Sequence, residues 1–184
     1  TYLEEYKKGR AREAQELLYY KDGAGATVAV YRKEGHVFFS VDGKVDGSTG
    51  PGDLNTQEFL ADLPLSLHPA PTRILVVGLG TGMTSGRALQ FPGVREVRTL
   101  EILPEVAEAQ KFFRPWSGDL AADPRFRLIL GDARADILHG KGLFDVLISE
   151  PSNPWMGGTA RLFTREFLES CKNRLAPGGC LVQW

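Results

Sequence analysis

The sequence has little cysteine, two residues in 184, and little histidine, three. Cys171 and Cys180 do not form a C-x-x-C pair, and neither they nor His36, His68 and His139 fall at zinc-ligand spacing. The expectation is therefore two reduced thiols inside ordinary secondary structure and no metal. Scarce cysteine also makes the cytoplasm the expected compartment. Charge of one sign is lacking too: 22 Lys and Arg face 23 Asp and Glu, a formal net charge of −1. That gives no bulk attraction to nucleic acid or to an anionic membrane, and neither is an expected partner. No run of about eighteen apolar residues is present to span a bilayer, nor the apolar core of a signal peptide. The chain opens on Thr1 and closes on an apolar run, Cys180 to Trp184, so a longer parent protein is expected.

What is present is an ordinary globular composition, 42% hydrophobic and 24% charged, enough for one domain with a small appendage. Residues 1–16 are polar and read as a helix or loose lead-in. Residues 17–45 read as three or four short antiparallel strands, punctuated by the turn pairs Asp22-Gly23, Glu34-Gly35 and Asp42-Gly43. A linker over 48–52 follows. Asp53 can cap a helix that reaches about Leu63, where Pro64 is expected to bend or end it. Two units result: residues 1–52, a lead-in with a β-hairpin region, and residues 53–184, a Rossmann-like nucleoside-binding domain.

From Arg73 onward strands and helices alternate. Ile74 to Val77 is short and wholly apolar, as a strand covered on both faces requires. Further strands are expected within Val94 to Ile102, at Phe126 to Leu130, at Phe144 to Ser149 and from Cys180. Pro104 suits the first residue of a helix. A helix over Phe163 to Leu175 is expected to stop at Pro177-Gly178-Gly179. Such repetition implies right-handed crossovers and an α/β fold, a Rossmann-like, doubly wound parallel sheet.

Four strand ends carry chemistry. Gly78-Leu79-Gly80-Thr81-Gly82 follows the first strand, and its glycines allow a sharp turn and close approach of a ligand. Taken alone it is compatible with a mere tight turn. Glu101 ends the second strand about 20 residues on, where a carboxylate can accept from both ribose hydroxyls; a helix-terminal charge before Pro104 is the plainer alternative. Gly131-Asp132-Ala133 ends the third strand, and Asp132 could accept from an adenine amino group or simply cap a helix. Glu150, in Ser149-Glu150-Pro151-Ser152-Asn153-Pro154-Trp155, ends the fourth strand in a rigid turn and could take a proton from an amine or be a surface acid of that turn. Together these mark a nucleoside crevice at the carboxyl edge of the sheet. A dinucleotide fingerprint would need glycine at position 83, which is Met83, so an adenosyl sulfonium ligand is the better expectation.

These motifs, in this order, resemble the polyamine aminopropyltransferases, the spermidine and spermine synthase family. The resemblance covers roughly residues 17–184. It rests on Asp42-Gly43-Lys44, on Asp53-Leu54-Asn55-Thr56-Gln57-Glu58, on His68-Pro69-Ala70-Pro71 leading into Ile74 to Gly82, on Gly131-Asp132-Ala133, and on Glu150 to Pro154. It implies a class I methyltransferase-type sheet whose final strands are absent here. It implies that Gln57, Glu101, Asp132 and Ala133, with Gly78, Gly80, Thr81 and Gly82, bind the adenosyl group. Glu150 would hold the catalytic acid position, and Asp53 and Asn153 would face the amine. The implied reaction moves an aminopropyl group from decarboxylated S-adenosylmethionine, as co-substrate, to a diamine such as putrescine; a homodimer is kept open. Thr81 stands where the family has an Asp that pairs with the donor's ammonium, Asn153 and Thr56 replace an acid and a tyrosine, Asp46 replaces a glutamine, and Glu150 is one methylene longer than Asp. Losing two carboxylates weakens the hold on a dication and removes repulsion against the carboxylate of ordinary S-adenosylmethionine. A methyltransferase and a non-catalytic nucleoside- or polyamine-binding module therefore stay open as alternatives. The Ser-Glu-Pro-Ser-Asn-Pro-Trp form resembles spermidine synthase-like domains attached to membrane segments.

Overall fold

The computed structural model describes residues 15–151 and 158–184. The lead-in expected over residues 1–16 therefore lies outside the described residues except at its end. Four strands come first, β1 (Glu16–Asp22), β2 (Thr27–Lys33), β3 (His36–Val41) and β4 (Lys44–Ser48), antiparallel in that order. Their tight turns have positive φ at both central residues, 50° and 78° at Glu34-Gly35 and 50° and 79° at Asp42-Gly43. This is the mirror-image turn whose twist matches that of the flanking strands. Alternation sends Val28 and Val30 of β2 and Val37 and Phe39 of β3 inward.

Helix α1 (Pro51–Leu67) departs from expectation at both ends. Gly50 occupies the capping position and Pro51 the first turn, so Asp53 is an acid inside the first turn rather than the cap. Pro64 does not stop the helix. Its ring is buried, its carbonyl still accepts from His68 N–H at 3.0 Å, and the lost proline N–H costs a single bond near the helix end.

The second sheet is wholly parallel, in order β7-β6-β5-β8-β9, from β5 (Arg73–Val77), β6 (Glu96–Glu101), β7 (Phe126–Leu130), β8 (Phe144–Ser149) and β9 (Leu175–Gln183). Helices α2 (Met83–Leu89), α3 (Pro104–Ala109), α4 (Arg114–Ser117), α5 (Ala133–His139) and α6 (Arg165–Lys172) lie between the strands in the chain. This is the expected α/β, Rossmann-like sheet behind an antiparallel hairpin sheet. Successive residues of the central strands feed opposite cores. Ile74, Val76, Val97, Val146 and Ile148 join Leu60, Leu65 and Phe113 and also Val28, Val30 and Phe39 of the first sheet. Leu75, Val77, Leu100 and Leu147 join Ile137 of α5 and Phe167 and Cys171 of α6. Burial pushes the Cys171 thiol up to about 12, so it is inert packing. Among the described residues no helix is long and apolar enough to cross a membrane.

The end of the chain differs from expectation. Helix α6 begins at Arg165, capped by the Thr164 hydroxyl, which accepts from Phe167 N–H, and it ends at Lys172. Pro177-Gly178-Gly179 does not terminate it but lies inside β9. Phe144 pairs with Leu175 and Val146 with Cys180, so the four residues between bulge away from β8. Gly178 has φ 81°, and a Cβ on Gly179 would sit 3.0 Å from two β8 carbonyls. Arg174, buried, satisfies the carbonyls that end α5, donating to Asp136 at 2.6 Å and Ile137 at 3.2 Å.

Candidate active site

β5 is the first strand of the parallel sheet and its centre, and the chain leaves it toward β6 on one side and returns as β8 on the other. In sheets of this order, ligands bind outside the carboxyl ends of the strands where the order reverses, which here is the end of β5 and its neighbours. The loop after β5 is built from glycines in a backbone conformation that other residues rarely adopt. Gly78, Gly80 and Gly82 all have positive φ, and a Cβ on Gly78 would lie 3.0 Å from the Glu150 carbonyl oxygen. Main-chain bonds lace the strand ends together: Gly78 N–H to Leu100 at 2.9 Å, Gly131 N–H to Glu101 at 2.8 Å, and Glu150 N–H to Val77 at 3.0 Å.

Glu101 is 8% exposed. Its carboxylate accepts from Leu79 N–H at 3.0 Å and Leu103 N–H at 2.9 Å, one on each oxygen. Burial raises its pKa, while these N–H groups, with those of Ile102 and Gly80, pull it down. The glycine loop thus wraps over the acid, and the two sequence features form one unit.

Glu150 stands on the other side of the same loop. Its backbone carbonyl and Cγ approach Gly78, and its Oε2 lies 2.9 Å from the Thr84 hydroxyl at the start of α2. Although it keeps some contact with solvent, burial pushes its carboxyl up to about 8; a Thr84 hydroxyl donated to it would oppose this, and the charge of Glu101 adds to it.

Gln57 and Thr81 meet directly. The Thr81 hydroxyl donates to Gln57 Oε1 at 2.5 Å, and Gln57 Nε2 donates to the Ser48 and Asp53 carbonyls at 3.1 and 3.2 Å. Gln57 therefore clamps β4, α1 and the glycine loop together. A Cβ on Gly47 would be 2.9 Å from Thr81 Cγ2, so the first sheet presses on this loop. Asp132 ends β7 as expected and caps α5, accepting from Arg134 N–H at 2.8 Å with Oδ1; Ala133 is buried beneath it. Its capping and its strand-end placement coexist. Asp53 contributes its backbone carbonyl to Gln57, and Asp46 pairs with Lys44. Asn153 lies outside the described residues. Thr84 was not foreseen; in the sequence it is one hydroxyl in an unremarkable helix start.

The profile of the spermine/spermidine synthase domain matches residues 54–183. The chain belongs to the spermine/spermidine synthase family. It is 32% identical over 169 residues to a spermidine synthase of Dictyostelium discoideum, covering 91% of this chain and 58% of that protein. It is likewise 32% identical over 141 residues to a putrescine N-methyltransferase of Nicotiana tabacum, covering 76% of this chain and 36% of the relative. A crystal structure of a spermidine synthase from Thermotoga maritima superposes with a TM-score of 0.81 at 25% identity, over 91% of this chain and 56% of that one. The chain thus spans little more than half the length of these spermidine synthases. The expected family and its methyltransferase-like sheet stand.

Proposed function

We propose that this chain is an aminopropyltransferase domain that moves the aminopropyl group of decarboxylated S-adenosylmethionine to a diamine such as putrescine, in the cytoplasm. The observation that carries this reading is the position of Glu150, a carboxyl at the end of β8 against the glycine loop, where burial pushes its pKa up to about 8. A base is most useful when its pKa lies near the working pH. In its ionised form Glu150 attracts a cationic amine and accepts the proton that the amine gives up. The amine nitrogen then forms a bond to the carbon beside the sulfonium, the carbon–sulfur bond breaks with its electron pair going to sulfur, and methylthioadenosine leaves.

On this reading Glu101 holds the ribose and Asp132 the adenine amino group, each at the strand end the sequence indicated. The glycine loop passes the sulfonium side of the donor. Gln57, Thr81 and Ala133 are likewise assigned to the donor, and Asp53 and Asn153 to the amine. The partner is a small amine, and light scattering would test a homodimer. Incubation with donor labelled in the aminopropyl group and a panel of amines tests the function. A labelled polyamine with methylthioadenosine is the expected product pair. Methyl transfer from S-adenosylmethionine to the same amines would replace this reading, and binding without turnover would reduce the domain to a sensor.

A further inference from the structure

The Thr84 hydroxyl lies 2.9 Å from two oxygens at once, the Gln57 carbonyl of α1 and Glu150 Oε2 at the end of β8. Thr84 is 2% exposed. A hydroxyl has one hydrogen to give, and a main-chain carbonyl can only accept. If Glu150 is ionised, one of the two short contacts has no hydrogen in it and sets two acceptors against each other. If Glu150 carries a proton, both contacts are satisfied. We propose that Thr84 is a positioning residue that keeps Glu150 a neutral carboxylic acid at neutral pH: the acid donates to the Thr84 oxygen, and the Thr84 hydroxyl donates onward to the Gln57 carbonyl.

The surroundings favour this arrangement. Among the described residues, Glu101, from the end of β6, is the charged group that acts on Glu150, and two carboxylates flanking one loop resist simultaneous ionisation. Thr84 and Gln57, which face the pair from α2 and α1, do not titrate. Burial acts in the same direction. A threonine that donated to the carboxylate would instead hold Glu150 in its charged form, so the two wirings predict opposite effects of removing the hydroxyl.

The catalytic consequence rests on the aminopropyltransferase reading: Glu150 must release its proton before it can take one from the amine, so the transfer rate rises with pH. The wiring itself is read without substrate. Carbon-13 labelling of glutamate side chains, with Glu150 assigned by its loss in Glu150→Gln, gives its titration by NMR. We expect a protonated Glu150 in the wild type at pH 7. Thr84→Val removes the acceptor for that proton and should lower the Glu150 pKa by roughly one unit, a tenfold weaker hold on the proton. Thr84→Ser keeps the hydroxyl and should titrate as the wild type does. An ionised Glu150 at pH 7 in the wild type overturns the proposal even if Thr84→Val fails to fold. An unchanged or raised pKa in Thr84→Val overturns it, as does a serine variant that behaves like valine. If the carboxyl titrates as expected but no aminopropyl product forms with any amine, the reaction assignment fails and the wiring stands. With an active enzyme, the alkaline rise in rate should move to lower pH in Thr84→Val and return in Thr84→Ser.

Discussion

At the scale of single residues, two side chains carry the proposed donor site. Glu101 has one oxygen occupied by each flanking N–H group, and carboxylate oxygens retain further lone pairs for hydroxyl donors. Glu101→Gln preserves the shape but replaces one acceptor with a donor facing Leu79 or Leu103. It should cost about 1.5–3 kcal/mol of affinity for methylthioadenosine, the scale of hydrogen bonds to charged groups. Isothermal calorimetry on the folded variant reads this directly, and an unchanged affinity would remove Glu101 from the ribose. Thr81 is the second. Its neutral hydroxyl is committed to Gln57 Oε1, and it is 2% exposed. Thr81→Asp would set a carboxylate against that amide oxygen, so the Gln57 amide must turn and give up the Ser48 and Asp53 carbonyls. We expect a stability loss of about 1–2 kcal/mol in urea denaturation together with a gain of roughly 1.5–3 kcal/mol in preference for the decarboxylated donor. Competition between the two donors checks the second part; equal binding to the variant would mean that position 81 does not face the donor's terminal ammonium. Glu150 was legible in the sequence because it ends an apolar strand, where an acid is conspicuous, Glu101 by its spacing of about 20 residues from the glycine loop, and Asp132 by the Gly-Asp-Ala turn. The hydroxyl of Thr84 and the clamp made by Gln57 were not, because they depend on contacts of α1 with α2, with β4 and with the glycine loop that no local pattern encodes.

At the scale of elements, the same contrast holds for boundaries. Strands β5, β7 and β8 were placed because a short apolar run between polar breaks has few alternatives when both faces are covered. Pro64 and Pro177 misled, because a proline removes one donor and the fold can place that gap where it costs little, near a helix end or inside a bulge. Gly86 shows an element-scale constraint of another kind. A Cβ there would lie 2.1 Å from the Ser117 carbonyl, so α2 and the end of α4 touch backbone to backbone. Gly86→Ala cannot be absorbed by a side-chain rotation. It should destabilise by about 1–3 kcal/mol or more, and because α2 carries Thr84, it should also weaken transfer activity in whatever fraction stays folded. Denaturant titration with parallel activity assays checks both; a neutral variant would mean that α2 can slide.

At the scale of the whole molecule, the antiparallel sheet and the parallel sheet share one core. Phe39 of β3 meets Phe113 edge to face at 6.5 Å, and both are buried in the cluster that holds Ile74 and Val76 of β5. The described residues should therefore unfold as one unit. Phe39→Ala should cost about 3–5 kcal/mol and shift the far-ultraviolet and fluorescence transitions together. Separate transitions would show that the hairpin region folds on its own. Within this shared structure the site works against the fold. Unfolded, Glu150 ionises near its ordinary 4.5, whereas in the folded chain it holds its proton up to about 8. Between those values the folded protein carries the extra proton, so this residue's contribution is most favourable below the lower value and is lost as pH rises through the upper one. At about 1.36 kcal/mol per pH unit, an ionised Glu150 weakens folding by several kcal/mol above pH 8. Glu150→Gln should melt at a higher temperature than the wild type near pH 9, and the difference should vanish near pH 4. On the aminopropyltransferase reading, the residue that takes protons from amines thereby costs the domain thermal endurance in the alkaline solutions where those amines are free bases.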